Sequence, residues 1–102
     1  MASYFEMWNA GESSIAGVIL HPDWVDHAHP EVAGSDDLRQ AVDTVRAAQS
    51  GLHFHITAIL GEDDLIAAVG EVRRDHGTTT ASRLIQMQGD RMAEMWTYHA
   101  NA

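Results

Sequence analysis

The sequence predicts a small α+β fold, in which a curved antiparallel sheet from the second half of the chain is covered on one face by helices from the first half. Three observations lead there. The hydrophobic rhythm changes at Gly51 from helical spacing to alternate-residue spacing. Four alternating segments then follow, separated by turns short enough to be hairpins. No repeat, low-complexity tract or linker interrupts the 102 residues, so residues 1–102 are expected to form a single domain around one core.

In the first half, Tyr4, Phe5 and Trp8 make one apolar stripe on a helix over residues 2–9, which Gly11 ends. A second short helix is expected over Ile15 to Leu20, closed by His21-Pro22 because the residue before proline resists the α region. Trp24 to His27 reads as a short strand. Ser35 is the expected N-cap of the most regular helix, residues 36–49, with Asp36 and Asp37 in its first turn and Leu38, Ala41, Val42, Val45 and Ala48 on one face.

In the second half, Leu52, Phe54, Ile56, Ala58 and Leu60 alternate with His53, His55, Thr57 and Ile59. Further strands are expected from Leu65 to Asp75, Thr80 to Gln88 and Arg91 to His99, turning at Gly61–Asp64, at His76-Gly77 and at Gly89-Asp90. Consecutive hairpins give an antiparallel, twisted sheet.

Composition narrows the chemistry. Six basic residues against fifteen acidic ones give a formal charge of −9, which opposes nucleic acid and anionic membrane surfaces. Cysteine is absent, which removes disulfides, thiolate nucleophiles and Cys-ligated zinc. No long apolar run and no signal-like N-terminus is present, so the expected location is cytoplasmic. Seven histidines supply groups that titrate near neutrality.

Several short motifs occur in a telling order. They are Tyr4-Phe5-x-x-Trp8-Asn9, His21-Pro22-Asp23 leading into Val25-Asp26-His27, and Gly34 before the long helix. Leu52-x-Phe54 and the closing Gly89-Asp90-Arg91-Met92-Ala93-Glu94-Met95-Trp96 complete the set. Together they resemble the SnoaL-like (polyketide-cyclase-like) branch of the nuclear-transport-factor-2-like (NTF2-like) superfamily, over nearly the whole chain. The resemblance implies a cone with a deep apolar pocket, taking a small apolar molecule, and a homodimer through the outer sheet face. It also implies cofactor-free acid–base chemistry on a carbonyl-bearing or cyclic substrate: isomerisation, cyclisation or hydrolysis. A non-catalytic ligand-binding or dimerisation module on the same fold is the alternative. Two departures stand out. The first helix is short for the family, which leaves the side of the pocket open or covered by a partner subunit. Thr97, Tyr98 and His99 follow Trp96, where the cyclases carry a catalytic aspartate, so cyclase chemistry does not transfer directly.

His27 and His29 are expected as general acid–base groups at the pocket mouth, His27 because it matches a cavity histidine of the family; a loop-capping or solvent-facing role is the bland reading. Glu94 is expected to pair with Arg83 or Arg73 or to meet water, or to act as an acid–base group. His99 stands where it could replace the missing carboxylate, or could fray near the chain end. Trp8, Trp24, Phe54, Trp96 and Tyr98 are expected to wall the pocket, with Arg83 among them. His53-x-His55 lacks the spacing of a known metal motif, and no metal is expected.

Overall fold

A computed structural model describes residues 2–99. Helix α1 (Ala2–Ala10) leads through a 3₁₀ turn (Ser13–Ile15) into the single-turn α2 (Ala16–Ile19), strand β1 (Leu20–Asp26) and the long α3 (Gly34–Ala48). Strands β2 (His53–Glu62), β3 (Leu65–Arg74), β4 (Gly77–Gln88) and β5 (Arg91–His99) complete the chain. They form one five-stranded sheet in the order β1-β5-β4-β3-β2. Helices packed on one face of this single sheet make an α+β architecture.

The four long strands are antiparallel hairpins, as their alternation requires. The short strand differs from expectation. It begins at Leu20, four residues earlier than its composition indicates, and pairs parallel with β5 through Leu20↔Met92, Val25↔Glu94 and Asp26↔Met95. Pro22 is tolerated because β1 is an edge strand and needs hydrogen bonds on one side only. The second helix correspondingly shrinks to Ala16–Ile19.

Helix α3 also starts differently. Ser35 does not cap it; the Asp37 carboxylate instead reaches back to accept the Ala33 N–H at 3.0 Å. The chain turns into the helix at Gly34 (φ 82°), where a Cβ would lie 2.7 Å from the Pro22 carbonyl oxygen. Only glycine meets both conditions. Leu38 and Val42 are fully buried under the sheet, each contributing about 1.5–3 kcal/mol.

Register decides which side chains face the helices. The concave side carries the cross-strand rows Asp26–Met95–Ile85–Ile66 and Thr97–Arg83–Ala68–Ile59. A β-bulge at Thr57 shifts the β2 register between Ile56 and Ala58. Alternation therefore reverses there: Ile59 joins Phe54 and Ile56 on the concave side, while Ala58 and Leu60 turn outward. A strand of strict alternation would have placed them oppositely.

The free edge of β2 is secured from α1. Asn9 donates from Nδ2 to the Phe54 carbonyl (2.9 Å) and accepts the Phe54 N–H on Oδ1 (2.7 Å). One amide thus occupies both outward-facing backbone groups of Phe54 and fixes α1 over the sheet. Asn9→Ala is expected to cost about 2 kcal/mol in urea unfolding, since two part-buried backbone groups lose their partners. Asn9→Asp, which can accept but not donate, should not restore the loss fully.

Candidate active site

A cavity of about 350 Å³ lies between α1, α3 and the concave face of the sheet. Its walls are mainly apolar: Trp8 from α1, Leu38, Ala41 and Val45 from α3, and Leu52, Phe54, Val72 and Met95 from the sheet side. The next row beyond Arg83 pairs the small residues Gly70 and Ala81. Gly70 cannot be larger, since a Cβ there would collide with the His55 carbonyl oxygen of the neighbouring strand.

Three polar side chains are buried in this apolar wall: Tyr4 at 3%, Asp26 at 4% and Arg83 at 7% exposure. Burial pushes the Tyr4 phenol well above its ordinary pKa, and the Asp26 charge adds to the rise. The indole of Trp8 and the Arg83 cation act the other way, but more weakly. The phenol is therefore a hydrogen-bond donor throughout the physiological range. Although the Trp8 indole is close enough to favour the phenolate, its Nε1 meets no acceptor in hydrogen-bond geometry.

Asp26 ends β1, and its Oδ1 accepts the Ala28 N–H at 3.0 Å. This bond turns the chain into the loop that carries His29. Arg83 lies over the rings of Phe5 (5.4 Å) and Phe54 (5.1 Å), and burial lowers its pKa from the ordinary guanidinium value. Among the described residues, no carboxylate forms an ion pair with it.

The residues expected from the sequence divide between the two faces of the sheet. His29, His99, Trp8, Phe54 and Arg83 line the cavity. His29 sits at the rim, its Nδ1 3.5 Å from Glu31 Oε1, both side chains largely exposed. His27, Glu94, Trp96 and Tyr98 do not line it. His27 Nε2 meets Glu94 Oε1 at 2.7 Å and its ring stacks on Trp96 at 4.8 Å and 8°, all on the convex face. The reason is parity. Asp26 points inward beside Met95, so its neighbours Val25 and His27 point outward. Glu94 therefore pairs with His27, not with Arg83 or Arg73; Arg73 pairs with Glu71 at 2.9 Å. Trp24 is inward but belongs to the packed core at 1% exposure. Tyr98 is 58% exposed.

Tyr4 and Asp26 escaped sequence reasoning. In the sequence Tyr4 reads as one more aromatic of an apolar stripe, and Asp26 stands beside a more conspicuous histidine. The signal available was an acidic residue inside an otherwise apolar strand segment. Among the described residues, no group of three or more metal-ligating side chains converges.

The cone with an apolar, internally polar cavity defines the class: an NTF2-like α+β domain. A family model for the SnoaL-like domain matches residues 1–99, and the chain belongs to that family. Solved structures agree in fold. TsrD from Streptomyces laurentii superposes with a TM-score of 0.81 at 16% identity, covering 97% of this chain and 84% of that one. A SnoaL-like polyketide cyclase from Agrobacterium tumefaciens gives 0.80 at 12% identity, covering 98% and 87%. A protein with a ketosteroid isomerase-like fold from Catenulispora acidiphila, solved with trimethylamine, gives 0.78 at 17% identity, covering 97% and 83%. No curated protein matches the sequence significantly. At these identities the solved structures establish the fold alone.

The buried phenol makes a pH prediction. The unfolded chain releases the Tyr4 proton near pH ~10, whereas the native state keeps it to higher pH. Stability is therefore full below pH ~10 and falls above it by up to about 1.4 kcal/mol per pH unit. Tyr4→Phe should flatten this alkaline decline in melting temperature; an identical slope in both proteins would place the phenol in water.

Proposed function

We propose that this chain binds a small, largely apolar carbonyl compound in its cavity and transfers a proton at the carbon next to the carbonyl. That step is common to isomerisation and ring-closing cyclisation. What carries the reading is the presence of Tyr4 and Asp26 together in one apolar cavity. Asp26 supplies a carboxylate as general base. Tyr4, held protonated by burial, donates to the oxygen on which negative charge develops. Thr97 lies on the same wall, and His29 and His99 exchange protons between the cavity and solvent. His27 and Glu94, joined to each other on the opposite face, take no part. The chemistry needs no metal and no cofactor.

The test uses 1-tetralone, a bicyclic ketone small enough for the cavity. The protein is expected to accelerate hydrogen–deuterium exchange at the carbon beside the carbonyl, followed by NMR in D₂O. Asp26→Asn should cut the acceleration about 10²–10⁴-fold, and Tyr4→Phe about 10²-fold or more. Binding without exchange would leave a ligand-binding module in place of an enzyme.

A second copy of the chain is the partner that the convex face supports. Trp96–Leu84–Ala67–Leu60 form an apolar row across four strands by direct register. Exposed Val25, Leu65 and Tyr98 extend it. Such a surface favours self-association. Sedimentation should show a dimer, and Leu60→Arg should shift it to monomer; a wild-type monomer at high concentration would end this reading.

A further inference from the structure

We propose that the cavity selects ligands carrying a carboxylate, and that Arg83 is the group that holds it. The inference rests on the cavity being a ligand site and names the class of ligand it takes.

The first support is the set of unpaired donors. Among the described residues, Arg83 Nη1 and Trp8 Nε1 are buried without a hydrogen-bond partner, and both residues line the cavity. Both atoms are donors and neither can accept. Each atom is closed in by its neighbours, so the cavity wall carries an incompletely satisfied guanidinium, which suits a ligand that brings acceptors.

The second support is a comparison within the same molecule. Arg46 shows what a structural arginine looks like here: Nη1 donates to the Leu52 carbonyl and Nη2 to the Ser50 carbonyl, tying α3 to the start of β2. Among the described residues, Arg83 makes no such bonds. It is 7% exposed, lies over Phe5 and Phe54, and has no carboxylate in ion-pair contact among the described residues. Ring faces attract the cation but leave its in-plane N–H groups without acceptors. An unpaired buried charge is costly, and a planar guanidinium suits a carboxylate through two parallel hydrogen bonds.

The third support is position. Asp26 belongs to the row of Met95, and Arg83 to the row of Thr97, two residues further along β5. The two backbone positions are thus roughly 7 Å apart along the strand direction and, with β5 between them, roughly 10 Å across it, a span that a bicyclic ligand and two inward side chains bridge. A ligand anion on Arg83 leaves another part of the same molecule within reach of Asp26. Arg74 also lines the cavity, its Nε donating to Gln49 Oε1 at 3.3 Å, and adds positive charge on the same wall. A protein of net charge −9 repels anions in general, so a preference for them requires a local cation.

The experiment compares 2-naphthoate with 2-naphthamide, which match in shape and differ in charge, by titration calorimetry near neutral pH. The naphthoate is expected to bind at least tenfold more tightly. In Arg83→Met the preference should vanish, and the unfolding midpoint should rise, because an unpaired buried charge has been removed. A structural arginine would give the opposite pair of results, a lower midpoint with the preference intact. Arg83→Lys, which keeps the charge without the planar fork, covers the case of a Met variant that does not fold; it should retain part of the preference. Equal affinities in the wild-type protein, or a preference that survives Arg83→Met, would overturn the role of Arg83 and leave the cavity reading standing. Binding of neither compound at millimolar concentration would end both.

Discussion

The parallel pairing of β1 with β5 is the constraint on which the cavity depends. Without it the four hairpin strands would form a twisted sheet with an open end. With it, Asp26 is placed beside Met95 on the concave face, and the loop carrying His29 is drawn to the cavity rim. The His27 N–H donates to the Met95 carbonyl at 3.0 Å, one bond past the end of the strand, which holds this parity. A register slip of one residue would exchange Asp26 for His27 at the cavity wall.

The cavity is enclosed by close packing. Tyr4, Phe5, Met7, Trp8, Leu38 and Val42 form a dense shell around it. Placing a phenol, a carboxylate and a guanidinium in that shell opposes stability, because each loses hydration that its neighbours only partly replace. Asp26 recovers part of the loss through the Ala28 N–H, and Arg83 through two aromatic faces. Asp26 and Arg83 do not pair directly with each other.

The two faces of the sheet divide the polar residues by role. The concave face carries isolated polar groups among apolar neighbours. The convex face carries groups already satisfied by one another, such as His27 with Glu94 and Arg73 with Glu71, around an apolar row. This contrast explains why the most conspicuous residues of the sequence, its His-x-His pairs, contribute so little to the cavity.

Much of the fold was legible in local pattern. Helical spacing from Leu38 to Val45, alternation after Gly51 and the glycine-bearing turns each follow from interactions within a few residues, and the strand and helix positions came from them. The family motifs extend this to the order of all elements. The side of the sheet on which a residue lies is different in kind. It depends on the β1–β5 pairing between residues some seventy positions apart, and on the single extra residue at Thr57. For that reason Asp26 and not His27 faces the cavity, Ile59 and not Leu60 faces the helices, and Glu94 found a histidine in place of an arginine. Local composition determined which elements form; long-range register, which no short stretch of sequence encodes, decided which side chains meet.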